Sequence, residues 1–291
     1  MCVPALDALA SRFSLTLVGK AWAGSLFEAY GWPVVPLAGS WWHQRDAIRA
    51  QPAADGASAL LFTHSLGTAL QLRLAGLRPR GYATAGRRLL LERVVPVPAR
   101  WVADMHTVEY YLALAVSAFD LPPAPPPAEL NLRVADGARQ RAHAALAAAG
   151  VAAPYVVLCP VAVGRHRGKV KAWSGFARLC RALRQRGVAT VAMPGPGELQ
   201  AVRSAVPDAA ILPASDVGSF AALLAGSALV VANDSGPGHV AAAVGARLVS
   251  VFGVTDPLKT RPWGARVTLV GGGSGWPDYE DVESTVFATL G

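Results

Sequence analysis

The residues whose types and spacing suit chemistry concentrate in the second half of the chain. The segment Asn233-Asp234-Ser235-Gly236-Pro237-Gly238-His239 follows an apolar run, Leu229–Ala232, that reads as a strand, and it leads into a helical stretch ended by Gly245. A turn of this kind can hold an anion. Gly236 and Gly238 let the backbone come close to a ligand, and Pro237 suits a first helical position because its missing N–H would be unpaired there anyway. Exposed amides and the positive end of the helix dipole favour negative charge, and Ser235 adds a hydroxyl donor. An ordinary strand–helix turn draws on the same Asn, Asp, Ser and Gly, so composition leaves both readings open. His239 is read either as a phosphate contact or as a capping or core histidine.

A second cluster, Gly164-Arg165-His166-Arg167-Gly168-Lys169-Val170-Lys171, sets basic residues and glycines between a strand end and a helix start. Phosphate neutralisation calls for such an arrangement, although a solvated loop has the same look. It contains no GxxxxGK[ST] and is not a P-loop. Glu198 follows a strand at a place where an acid can take ribose hydroxyls, or is simply a surface residue. In the first half, Thr63-His64-Ser65 follows a strand candidate, and Arg78-Pro79-Arg80-Gly81-Tyr82 precedes Arg87-Arg88. These suit an anionic acceptor or a solvated basic face. Trp41-Trp42-His43 is either core or an aromatic patch at a substrate or membrane edge. No GxSxG, HExxH, CxxC or Ser/His/Asp constellation is present, so neither a hydrolase triad nor a metal site is expected.

The elements that must position these residues alternate. Tyr155–Cys159, Val188–Met193, Leu229–Ala232, Leu248–Phe252 and Val267–Val270 are short apolar runs of strand type. Between them lie helical patterns at Trp173–Arg186, ended by Gly187, at Ser219–Ala225, started near Ser215 or Asp216, and at His239–Val244. Strands apolar on both faces, alternating with helices, indicate a parallel sheet covered on both sides. Ligands of such sheets bind beyond the carboxyl ends of the strands, where the three loops above fall. The first half repeats the theme: helices at Ala5–Arg12, Gly24–Tyr30 and Thr68–Ala75, a helix from His106 to Phe119 capped by Asp104, and strands at Leu15–Val18, Val34–Leu37 and Ala59–Phe62. The proline-rich stretch LPPAPPPAEL can be neither helix nor central strand and marks a domain boundary. The expected division is residues 1–125, 126–275 and a closing helix in 276–291. A doubly wound domain normally opens on a strand, whereas this chain opens on a helix. The N-terminal domain is therefore read as lacking its first strand and the loop that follows it.

Composition bounds the rest. The chain has 291 residues, 53% hydrophobic and only 16% charged, which excludes global disorder. With 27 Lys+Arg against 19 Asp+Glu, the net charge of +8 favours anionic partners such as phosphates, an acidic glycolipid or a membrane surface. Lysines are few and no RNP-like motif occurs, so nucleic acid is not expected. Cys2, Cys159 and Cys180 are widely spaced, which fits a reducing cytosol, and the N-terminal residues lack the basic region of a signal peptide.

Taken in order, several motifs resemble glycosyltransferase family 9, the lipopolysaccharide heptosyltransferases. They are Thr63-His64-Ser65 with Leu70, Gly76 and Arg80-Gly81-Tyr82, then Arg87-Arg88-Leu89-Leu90-Leu91, His106 with Tyr110-Tyr111-Leu112, and Lys171-Ala172-Trp173. Asn233-Asp234-Ser235-Gly236-Pro237 with His239, followed by Phe252-Gly253-Val254-Thr255-Asp256-Pro257, completes the set. The last two motifs are the most specific. The resemblance implies an α/β fold of GT-B type, two Rossmann-like doubly wound domains facing a cleft, with the carboxyl-terminal one binding the nucleotide-sugar. It implies an inverting, metal-independent transfer of heptose from ADP-heptose to the lipid A-linked inner core, with no cofactor, by a cytoplasmic protein in peripheral contact with the inner membrane. Under it Lys171 neutralises the diphosphate or positions the sugar, Ser235 and Gly236 hold the diphosphate, Glu198 takes the ribose, and Asp234 and His239 line the donor site. His64, Ser65, Arg80 and Arg87 are the acceptor-side candidates. The family's catalytic base lies in a Gly-Asp pair after the first strand, and the residues from Met1 look like those just after it. Two alternatives stay open: a nucleotide-sugar binder without turnover, and a family member using another sugar nucleotide such as a UDP-sugar.

Overall fold

The computed structural model describes residues 1–291 except 53–54, 163–164, 167–168 and 273–274, with the backbone alone at 165–166 and 169–170. The chain forms two compact α/β units, Met1–Gly24 with Gly31–Pro127, and Ser25–Tyr30 with Ala128–Gly291.

Among the described residues, unit 1 carries five short strands, β1 (Leu17–Gly19), β2 (Val34–Pro36), β3 (Ser58–Leu60), β4 (Arg78–Tyr82) and β5 (Arg93–Val95). They form two separate parallel sheets, β1-β2 and β3-β4-β5. Its helices are α1 (Val3–Ala10), α2 (Trp22–Leu26, whose last two residues belong to unit 2), α3 (Trp41–Arg49), α4 (Leu66–Leu74), α5 (Arg100–Ala103) and α6 (Thr107–Phe119). Neighbouring side chains at the end of β3 serve opposite faces, as strand alternation requires. Leu61 enters a core with Ile48, Ala69, Leu72 and Ala75 of α3 and α4. Leu60 and Phe62 pack with Ala5 and Leu9 of α1 and Ala115 of α6. Helices thus cover both faces.

Two expectations for this half change. The helix from Thr107 is capped by His106, not Asp104. The His106 imidazole accepts from Val108 N–H at 3.1 Å, and Glu109 accepts from His106 N–H at 2.9 Å. Asp104 instead ends α5, where it pairs with Arg100. Gly24–Tyr30 is not one helix but α2 and a single 3-10 turn, Glu28–Tyr30.

Unit 2 is built on β6 (Tyr155–Cys159), β9 (Ala189–Ala192), β10 (Ala210–Ile211), β11 (Leu229–Asn233), β12 (Leu248–Phe252) and β13 (Val267–Gly271), with a two-stranded antiparallel hairpin of β7 (Arg165–His166) and β8 (Lys169–Val170) set apart. The main sheet is parallel throughout in the order β10-β9-β6-β11-β12-β13. This is the doubly wound order, which reverses direction between β6 and β11. Every residue of β6, β11 and β12 is buried, as expected of strands covered on both faces. The covering helices are α7 (Asp136–Ala148), α8 (Phe176–Gln185), α9 (Leu199–Ala205), α10 (Val217–Ala225), α11 (Gly236–Ala243), α12 (Pro257–Thr260) and α13 (Tyr279–Leu290). Gly187, at φ +75°, takes the left-handed turn that stops α8, and Asp216 caps α10 by accepting from Ser219 N–H at 2.9 Å.

The segment Ser25–Tyr30 docks on α7 and α10. Arg141 reaches Glu28, Asp216 and Ser219, and the Arg133 guanidinium lies 3.9 Å over the Tyr30 ring. Gly218 permits this contact, because a Cβ there would stand 2.3 Å from the Ser25 carbonyl oxygen. Gly218→Ala is expected to destabilise the protein by about 1–3 kcal/mol, read as a lower midpoint in urea denaturation, with Gly236→Ala, where a Cβ meets open space, as the mild control.

Candidate functional site

The reversal of strand order between β6 and β11 opens a crevice at their carboxyl ends. Asn233, the last residue of β11, is fully buried there. Its amide donates to the Pro160 carbonyl at 2.7 Å, just past β6, and its Oδ1 accepts from Trp173 N–H at 2.9 Å, just ahead of α8. One side chain therefore ties the end of β6, the lead into α8 and the end of β11 together. The Trp173 ring is held in turn by Phe176 and by a stacked Tyr279, at centroid distances of 5.4 and 6.0 Å.

On this support stands a charged pair with a hydroxyl beside it. Lys171 Nζ lies 2.8 Å from Asp234 Oδ2, with the Asp234 side chain 7% exposed and that of Lys171 24%. Thr255, in the loop after β12, donates its hydroxyl to the same oxygen at 2.6 Å. The ion pair brings an ammonium from the β6–α8 connection to the start of α11. That helix begins at Gly236 with Pro237 in its first turn, and its N-cap residue, Ser235, makes no side-chain cap. The Ser235 hydroxyl donates to the Asn233 carbonyl at 3.2 Å instead of capping. A helix N-terminus of this kind, beside an ammonium, has the chemistry to hold an anion. His239 sits in the same first turns, half-buried.

Glu198 lies across the crevice. Its Oε2 accepts from Gly195 N–H at 2.9 Å, and it lines a cleft with Cys159, Met193, Phe220 and Pro237. Burial, and next the nearby Glu198 charge, push the Cys159 thiol up to about 12, so this cysteine is an inert wall of the cleft and not a nucleophile.

All the donor-side candidates, Lys171, Glu198, Asp234, Ser235, Gly236 and His239, thus gather on this end of the sheet. Asn233 and Thr255 belong with them, although only the motifs, and not their expected roles, pointed to them. The basic stretch Gly164–Lys171 holds the β7–β8 hairpin, and Gly164, Arg167 and Gly168 lie outside the described residues. Among the described residues there is no cluster of His, Cys, Asp and Glu that could hold a metal ion.

The acceptor-side candidates divide. Ser65 is spent on structure, capping α4 by accepting from Thr68 N–H at 3.2 Å. Arg80 is held by Glu92 at 3.0 Å, by the Ala118 carbonyl at 2.9 Å and by the Phe119 ring. Arg87 and His64 come together. Arg87 is fully buried; it donates to the carbonyls of Tyr82 and Thr63, and its Nη2 has no hydrogen-bond partner among the described residues, nor has the buried Tyr110 hydroxyl. His64 Nδ1 lies 3.0 Å from Thr84 Oγ1. Partial burial, then the Arg87 charge, hold its pKa below the ordinary imidazole value. Gly81 leaves room for the guanidinium, since a Cβ there would lie 3.3 Å from Arg87 Nη2.

Residues 57–286 match the family model described as glycosyltransferase family 9 (heptosyltransferase). The chain belongs to that family. A curated relative, lipopolysaccharide heptosyltransferase 3 of Escherichia coli K12, is 34% identical over 128 residues, which is 40% of this chain and 36% of that protein. The chain thus spans about a third of the curated relative it matches. Among solved structures, the E. coli ADP-heptose heptosyltransferase II superposes with a TM-score of 0.79 at 22% identity, covering 99% of this chain and 94% of that one. A family 9 protein of Veillonella parvula gives 0.81 at 16% identity, covering 99% and 92%. An E. coli heptosyltransferase solved with ADP gives 0.72 at 19%, covering 99% and 95%. The family 9 fold, two Rossmann-like α/β units, is thereby shown.

Because Asn233 satisfies two buried backbone groups, Asn233→Ala is expected to destabilise this family 9 protein by about 2–4 kcal/mol, measured by chemical denaturation.

Proposed function

We propose that this protein is an inverting glycosyltransferase that takes a heptose from ADP-heptose and adds it to the lipid A-linked inner core of lipopolysaccharide. The observation that carries the reading is the Lys171–Asp234 pair beside the uncapped start of α11, at the point where the strand order reverses. Family membership supports it, as do relatives described as lipopolysaccharide heptosyltransferases and a solved neighbour holding ADP.

In this reading the diphosphate rests on the first-turn amides of α11 with the Ser235 hydroxyl beside them, and the Lys171 ammonium turns from Asp234 toward it. Glu198, at the neighbouring cleft, takes the ribose hydroxyls. An acceptor hydroxyl attacks the anomeric carbon from the face opposite the diphosphate. The new C–O bond forms as the bond to the diphosphate oxygen breaks, and the hydroxyl proton passes to a general base. Amides, dipole and Lys171 stabilise the charge that develops on the leaving diphosphate. Asp234 and Thr255 keep the ammonium in place before the donor arrives. In unit 1, the unsatisfied Arg87 Nη2, with the Tyr110 hydroxyl, meets an acidic group of the acceptor.

Titration calorimetry with ADP-heptose tests the donor half. The wild-type protein is expected to bind, and Lys171→Ala to weaken binding about 10–100-fold, the range for losing one charge-assisted contact. Absence of binding by the folded wild-type protein refutes the reading. On the acceptor side, Arg87→Gln is expected to raise the acceptor KM by at least about tenfold while leaving ADP-heptose affinity unchanged, as measured by transfer to lipid A-linked core saccharide.

A further inference from the structure

Two arms meet on one oxygen of Asp234, Lys171 Nζ at 2.8 Å and Thr255 Oγ1 at 2.6 Å. The Lys171 arm is tied to Asn233 through the Trp173 N–H. The Thr255 arm rests on a segment later in the chain, Trp276-Pro277-Asp278-Tyr279, which leads into α13.

The Trp276 indole lies directly on Gly253, the buried residue that follows β12. A Cβ added there would stand 2.2 Å from ring atom Cδ2 and 2.5 Å from Cε2 and Cε3. Three bonded ring atoms at nearly one distance set the face of the ring, and not its edge, on the glycine. Backbone and indole come this close only because Gly253 has no side chain. Thr255 stands two residues further on. The far end of the same loop is pressed as well, since a Cβ on Gly272 would stand 3.0 Å from Pro257 Cγ. Thr255 is therefore carried between two fixed ends.

The segment also reaches the other arm. The Pro277 carbonyl accepts from Trp173 Nε1 at 3.3 Å, and the Tyr279 ring stacks on Trp173 at an interplanar angle of 10°. The Arg178 guanidinium lies 3.6 Å over the Tyr279 ring. Trp173 is two residues after Lys171, so both arms of the Asp234 site rest on four consecutive residues. A partly solvated ion pair is weak by itself and keeps one geometry only when packing locks the groups that carry it. Of the four residues, Trp276 bears on the Thr255 arm. It also packs against the apolar layer that holds Val282 and Val286 of α13, and a role in that core alone predicts a different outcome from a role at the site.

We propose that Trp276 is a positioning residue: seated on Gly253, it holds Thr255 against Asp234 and so keeps the Lys171 ammonium at the start of α11. The assignment deepens the donor reading above, and its consequence for donor binding rests on that reading.

Acetylation of the lysines of the full chain, followed by peptide mass spectrometry, reads the pair without any donor, with the exposed Lys20 as internal reference. Trp276→Ala is expected to raise the Lys171 rate relative to Lys20 by about fivefold, the gain in free amine when one partly exposed ion pair is lost. Trp276→Leu, which keeps apolar bulk without the flat face, shares that expectation, whereas Trp276→Phe stays within about twofold of wild type. Thr255→Val gives the same rise as Trp276→Ala, and the two together give no more than either alone, because one acts through the other. Val286→Ala removes buried bulk from α13 about two turns beyond Tyr279; it lowers stability and leaves the Lys171 rate at that of wild type. In calorimetry, Trp276→Ala is expected to bind ADP-heptose more weakly by the same factor. Wild-type protein that fails to bind ADP-heptose ends the donor reading, while the labelling still decides the role of Trp276. The proposal is overturned by Trp276→Ala and Trp276→Leu proteins whose Lys171 labels at the wild-type rate, by an equal rise in Val286→Ala, or by rises that multiply in the double variant.

Discussion

Asn233 meets the constraint on which the crevice of unit 2 depends. A doubly wound sheet forces two chain segments apart at the reversal of strand order, and the backbone there leaves the ladder with polar groups still to satisfy. The Pro160 carbonyl and the Trp173 amide are two such groups, and the carboxamide of one fully buried asparagine meets both. No apolar residue of similar size can do this, because burial of an unpaired carbonyl or amide costs more than the contact area returns. The bond to Trp173 fixes the approach to α8, and so fixes where Lys171, two residues earlier, can reach.

The charges follow from that placement. Asp234 is nearly buried and would be costly alone; Lys171 and Thr255 share one of its oxygens. Such a pair adds little net stability, because desolvation offsets the attraction. Its value is positional. It holds a cation at the start of a helix whose N-cap residue makes no side-chain cap, an arrangement suited to an anion with little reorganisation.

Unit 1 carries a related tension in another form. Arg87 is wholly buried between carbonyls, and among the described residues neither its Nη2 nor the buried Tyr110 hydroxyl has a hydrogen-bond partner. Buried groups of this kind are normally satisfied, which is why the proposed acceptor contact is drawn to these two. Outside the same turn, Leu89 and the outer leucines of α4 face outward, so one short segment presents a polar interior and an apolar exterior.

Much of unit 2 was legible because its signals are local. All-apolar strands, helices ended by Gly187 and Gly245, and the Asn233–His239 turn follow from residue types over windows of a few positions. Unit 1 read less well for equally physical reasons. β4 and β5 carry arginines and a proline where strand patterns call for apolar alternation, and tertiary pairing overrode that preference. His106 displaced Asp104 as the α6 cap because its ring nitrogen reaches Val108 N–H while Glu109 closes the reciprocal bond. Ser65 and Arg80 carried the right chemistry for a ligand, but capping and packing claimed both. The sequence by itself determined the fold class, the family and the turn that starts α11, since these rest on periodicity and contiguous motifs. Only the tertiary structure decided that Lys171 meets an aspartate 63 positions away, that Thr255 joins them, and that Arg87 is buried without full satisfaction. Such pairings depend on strand order and on which side chains burial leaves no alternative, and neither is written in any local stretch of the chain.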